Sequence, residues 1–117
     1  MELRELNAEE DLVLVGLLRD VAQADGRYSE SEKRHVDRVR AALGEARFDK
    51  AVLAARERYG TRELLKEAAK AITRKDARIV MYDTLDAMAA ADGKTDDEAR
   101  PLAWLASWWE LAKPAQP

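Results

Sequence analysis

Two short acidic turns carry the residues whose types and spacing could do chemistry. The stretch Ala24-Asp25-Gly26-Arg27-Tyr28-Ser29-Glu30-Ser31-Glu32 recurs in shortened form as Ala91-Asp92-Gly93-Lys94-Thr95-Asp96-Asp97-Glu98. In each copy an apolar helical run stops at Ala-Asp-Gly, a polar turn follows, and a new helix opens with a carboxylate in its first turn. That chemistry is oxygen coordination of a hard cation. Asp25-Gly26 with Glu32 fits the second half of a calcium loop: the glycine makes the sharp turn, Arg27 offers a carbonyl, Ser29 a side-chain or water-mediated contact, and Glu32 a bidentate carboxylate. The first half of such a loop is missing, since Val21 and Gln23 stand where acidic ligands belong. One turn alone under-supplies an ion that takes six to eight oxygens, so water or the second turn must complete its shell. The same residues also have a purely structural use. Asp-Gly is ordinary turn chemistry, and Ser29-x-x-Glu32 and Thr95-x-x-Glu98 read as capping boxes whose carboxylates sit favourably at helix N-termini.

The elements that position these turns are helices. Glycine and proline are scarce, and apolar residues recur at helical spacing almost throughout the 117 residues. We therefore expect an all-α, single-domain bundle of about six helices spanning residues 1–117. Asn7 and Glu10 form a capping box for the first helix, whose core stripe is Leu14, Leu18 and Val21. The run Leu12 to Leu18 is apolar nearly all round, which predicts burial on more than one side and assigns Gly16 to the close approach of a neighbouring helix. Helix two starts after Ser29, turns Val36, Val39 and Leu43 inward, pairs Glu30 with Arg34 and Lys33 with Asp37 outside, and ends at Gly44. Phe48, Val52, Ala55 and Tyr59 mark helix three, which Gly60 terminates. Thr61 caps helix four, with Leu64, Leu65, Ala68 and Ile72 inside. Asp76 reads as the cap of helix five, where Ile79 to Tyr82, Leu85 and Met88 repeat the broad burial of helix one. The last helix carries Leu102, Trp104, Leu105, Trp108, Trp109 and Leu111 before Lys113-Pro114. Pro101 implies either a separate turn over Asp96 to Arg100 or a kink, and the separate turn is preferred.

An internal repeat underlies this order. A shift of 67 residues places Leu14 on Met81, Leu18 on Leu85, Val21 on Met88 and Asp25-Gly26 on Asp92-Gly93. Beyond the glycine the second copy is one residue shorter, so that Glu32 meets Glu98, Val36 meets Leu102 and Val39 meets Leu105. Two helix–turn–helix hairpins result, one over about 8–43 and one over about 76–112, packed face to face.

A twice-used Ala-Asp-Gly turn followed by Glu six or seven residues on, in a small helical chain, resembles the TerB-like tellurite-resistance family, also found as the N-terminal domain of the DjlA membrane co-chaperones. The resemblance covers nearly the whole chain. It implies a helical domain with two such motifs that binds a divalent metal, with Asp25, Glu32, Asp92 and Glu98 as ligands. In the shorter second turn Asp96 can replace Thr95 as cap or join the ligands. The cofactor implied is a divalent cation, calcium favoured, and the role implied is that of an accessory stress-response protein acting on a protein partner rather than an enzyme.

Composition narrows the remaining options. Twenty Lys+Arg balance 23 Asp+Glu for a net charge of −3, so no field of one sign steers the chain toward nucleic acid. Cysteine is absent, which removes disulfides and thiolate chemistry. The start lacks a signal-peptide pattern, and no apolar run approaches the roughly 20 residues that span a bilayer, so a cytoplasmic protein without membrane insertion is expected. His35, the one histidine, has no catalytic company and reads as a partly exposed helix residue. The main rival to metal binding is the tryptophan-rich last helix. Trp104, Trp108 and Trp109 either close the core or form a partner or homodimer surface, the basis of a metal-free interaction module.

Overall fold

The computed structural model describes residues 1–23, 29–90 and 96–111, with the side chains of residue 23 and of residues 96–101 left aside. Among them six α-helices follow a 3-10 turn at Leu3–Glu5: α1 Ala8–Gln23, α2 Glu30–Leu43, α3 Glu45–Arg58, α4 Arg62–Lys70, α5 Lys75–Ala90 and α6 Asp96–Trp108. Among the described residues there is no strand, and the chain is an all-α bundle.

α1 is the central helix because its sequence leaves it no polar face over two turns. Val13, Leu14 and Leu17 are fully buried, and Leu12, Val15 and Leu18 nearly so. It packs against α3, α5, α4 and α6, whereas α2 lies against α3, α5 and the 3-10 turn. Gly16 marks the tightest approach: a Cβ there would stand 2.7 Å from Leu65 Cδ1 of α4. Gly44 both ends α2 and starts α3, with φ +98°, a conformation that side chains other than hydrogen rarely adopt.

The N-terminal segment is held by arginines from distant elements. Arg47 of α3 donates to both carboxylate oxygens of Asp11 at 2.6 and 2.8 Å and to the carbonyls of Leu6 and Arg4. Arg74, just before α5, donates to Glu10 and to the Glu5 carbonyl. Buried Asp11 and Glu10 are therefore paired, as charged groups removed from water must be.

Several expectations change in the folded chain. Leu64 is 50% exposed and Ile79 44%, so α4 turns Leu65 and Ala69 inward and α5 buries one stripe, Ala77, Met81, Leu85, Met88 and Ala89, rather than the broad surface of α1. α5 has α1, α2 and α6 as neighbours, and one side of it stays in water. Its first residue is Lys75, placing Asp76 inside the first turn rather than at the cap. The pairs Glu30–Arg34 and Lys33–Asp37 are not among the ion pairs of the described residues. Arg40 instead joins Asp49 and Glu45 across to α3. α6 is one helix from Asp96 through Pro101, without the separate turn. The main-chain bond lost at the proline is offset by burial of Leu102, Leu105 and Trp109 along the same helix.

α6 also stops earlier than Lys113-Pro114. The Leu111 N–H bonds the Ala106 carbonyl, the Glu110 N–H bonds the Ser107 carbonyl, and Glu110 takes φ +52°. This is a Schellman termination with glutamate in the left-handed position.

Candidate functional site

Of the five acids in the sequence-based ligand set, Glu32 is the one whose side chain lies within the described residues. Its local geometry follows from the capping box: the Ser29 Oγ accepts from the Glu32 N–H at 3.1 Å, and Glu32 Oε1 accepts from the Ser29 N–H at 2.9 Å. The residue is 3% exposed. Its second oxygen, Oε2, is buried and has no hydrogen-bond partner among the described residues.

Glu10 supplies an internal comparison. It stands in the same kind of box, with Asn7 in place of Ser29, and is 2% exposed. Its Oε2 is taken by the Arg74 guanidinium at 2.8 Å. The hydrogen bond from Arg74 holds the Glu10 carboxyl below its ordinary range, against the opposing effect of burial. Glu32 has the burial and the box but no cationic side chain among the described residues. A buried carboxylate oxygen left unpaired is costly, and a hard cation satisfies such an oxygen.

The other acids of the sequence-based ligand set are not placed by the structure. Asp25 and Asp92 lie outside the described residues, as do the side chains of Asp96 and Glu98 on α6. Among the described residues no three His, Asp or Glu side chains converge.

The three tryptophans divide. Trp109 is 1% exposed and its Nε1 donates to the Ala69 carbonyl at 2.7 Å, so it closes the core between α6 and α4 rather than joining the partner surface expected from the sequence. Trp104 and Trp108 are half-buried and packed on each other, with ring centroids 4.5 Å apart and planes tilted by 35°. Lys66 Nζ sits 5.7 Å from the Trp104 ring centre and Lys70 Nζ 4.5 Å from that of Trp108, so a two-step cation–π ladder faces outward from α4 and α6. His35 is half-buried, and burial followed by Arg38 nearby lowers its pKa, which keeps the ring neutral at pH 7.

A cleft of about 570 Å³ lined by α1, α2, α3 and α4 was not anticipated from the sequence. Its floor is apolar and includes Leu18, Val36, Phe48, Val52 and Leu65. Asp20, Tyr59 and Arg62 bring polar groups to it. Arg62 donates through Nε and Nη2 to Asp20 Oδ1 at 3.0 and 2.8 Å, which leaves Asp20 Oδ2 buried without a partner. The Tyr59 hydroxyl is likewise buried and unpartnered, and burial, with Glu9 adding to it against Arg58, raises its pKa. The sequence held one signal for this place. Gly16 and Asp20 stand one helical turn apart and interrupt the most apolar helix of the chain on a single face.

No family model, characterised protein or solved structure matches this chain.

Proposed function

We propose that this chain is a TerB-like accessory protein that takes a divalent cation, calcium by preference, at the start of α2 and conveys that state to a protein partner. The reading assigns it no catalytic step. One observation carries it: among the described residues Glu32 Oε2 is a buried carboxylate oxygen with no partner, where the equivalent oxygen of Glu10 has a guanidinium. Glu32 and Asp25 would hold the ion in the first turn, and Asp92, Asp96 and Glu98 in the second. The ion would supply positive charge and ordering at the α2 N-terminus, not a reaction.

Calorimetric titration of chelator-treated protein with Ca²⁺, Mg²⁺ and Zn²⁺ tests this. Saturable binding should raise the melting temperature, by the equivalent of about 2.7 kcal/mol at a hundredfold excess over Kd. Glu32→Gln and Asp25→Asn should abolish that gain. Glu32→Gln should leave the metal-free protein as stable or more so, because it removes an unpaired buried charge. Absence of heat and of thermal shift with all three ions would reduce the acidic turns to helix caps.

A second reading rests on the outward Trp104–Trp108 pair, because aromatic residues dominate interface hot spots. In it the chain is a metal-free interaction module presenting α4 and α6 to a protein partner or a second copy.

A further inference from the structure

We infer that the cleft lined by α1, α2, α3 and α4 binds a small carboxylic acid as its anion, with an apolar body on the cleft floor and the carboxylate against Arg19 or Arg56. None of the cleft residues belongs to the acidic turns, so the proposal is independent of the metal reading. The volume of about 570 Å³ is that of a small-molecule site, which is mostly apolar with a few placed polar groups.

The floor accounts for the body. Leu18 and Ala22 of α1, Val36 of α2, Phe48 and Val52 of α3 and Leu65 of α4 line it, so apolar surface from four helices meets in one space. Val36 and Val52 are only half-buried, and a ligand that takes the rest of their surface out of water gains in proportion to the apolar area removed.

Charge selects the head. The charged residues of the lining are Arg19, Arg56, Arg62 and Asp20. Asp20 and Arg62 are committed to each other: Asp20 Oδ1 accepts both bonds from Arg62, and Oδ2 is closed to solvent, so the carboxylate is not offered to a ligand. Arg19 and Arg56 are exposed, and neither has an ion-pair partner among the described residues. The charges still available around the apolar floor are therefore guanidiniums, in a chain whose net charge is −3. They repel an ammonium head. A neutral head accepts from them more weakly than a carboxylate, whose two oxygens match the planar donor fork of arginine. One guanidinium is enough to hold one carboxylate, so the two arginines need not meet at a point.

The experiment compares naphthoate, naphthol and naphthylmethylammonium, one apolar body with three heads, and acetate, the head without the body, by calorimetry and amide chemical-shift mapping at neutral pH and low salt. Naphthoate should bind saturably and at least about tenfold tighter than the other three, the worth of one charge-assisted hydrogen bond. Added salt should erode that advantage, because the arginines are exposed. Amide shifts should centre on Gly16, Val52, Gly60 and Leu65 of the cleft wall. Arg19→Gln combined with Arg56→Gln should bring naphthoate down to the affinity of naphthol and leave the melting temperature unchanged, since both side chains are exposed and outside the ion pairs of the described residues. Naphthol, naphthylmethylammonium or acetate binding as tightly as naphthoate, an advantage that survives the double substitution, shifts centred away from the cleft, or no saturable binding by any probe would each overturn the proposal.

Discussion

At the scale of single residues, the partner of one carboxylate oxygen separates a structural glutamate from a candidate ligand. Glu10 and Glu32 occupy equivalent boxes at equal burial, and Arg74 reaches only the first. Because Arg74 depresses the Glu10 carboxyl in the folded protein, the unfolded chain binds that proton more readily. The stabilisation is fully present above the ordinary carboxylate value near 4.5 and is lost as pH falls through the lower folded value. Glu10→Gln should flatten the acid limb of the stability profile and lower stability at neutral pH, since it removes the charge that a half-exposed arginine pairs with a buried carboxylate. Urea unfolding between about pH 3 and 7 measures both effects. Both boxes were legible in the sequence because a cap and its partner are three residues apart. The arginine that completes one of them is 64 positions away and was not.

Elements show where local rules end. Caps at Asn7, Ser29 and Thr61, the break at Gly44 and the close contact at Gly16 follow from residue type and near neighbours. The phase of α4 and α5 does not. Leu64 and Leu65 are equally apolar, and the packing of α4 on α1 at Gly16 selects Leu65. The Schellman end of α6 escaped notice because its left-handed residue is Glu110 rather than glycine. A left-handed residue with a Cβ pays roughly 1–2 kcal/mol, part of which glycine returns through its freer unfolded chain. Glu110→Gly should therefore raise stability by about 0.5–1 kcal/mol, read as a rise of a few degrees in melting temperature. A fall would mean that the Glu110 side chain contributes more than its backbone costs.

The whole molecule decides among the tryptophans. Trp109 fills space between α6 and α4 and satisfies its N–H on Ala69, whereas Trp104 and Trp108 lie under Lys66 and Lys70 at the surface. Trp109→Ala should cost about 3–5 kcal/mol as a large core truncation. Trp104→Ala and Trp108→Ala should each cost nearer about 1 kcal/mol, the scale of an exposed cation–π contact and its packing. Denaturant unfolding of the three variants makes the comparison. Equally large losses at all three sites would place the pair in the core and withdraw the partner reading.

Periodicity and capping by themselves determined an all-α bundle of about six helices and the starts of α1, α2 and α4, because these depend on residues within one or two turns. Leu14, Leu18, Met81 and Leu85 were readable as core positions for the same reason, and all four are buried. Only the tertiary structure decided which oxygen of which carboxylate goes unpaired, which face of α5 meets water, and that Asp20, Tyr59 and Arg62 share a cleft. Those facts depend on side chains from separate helices meeting in space, and hydrophobic spacing along one helix carries no information about what stands opposite it.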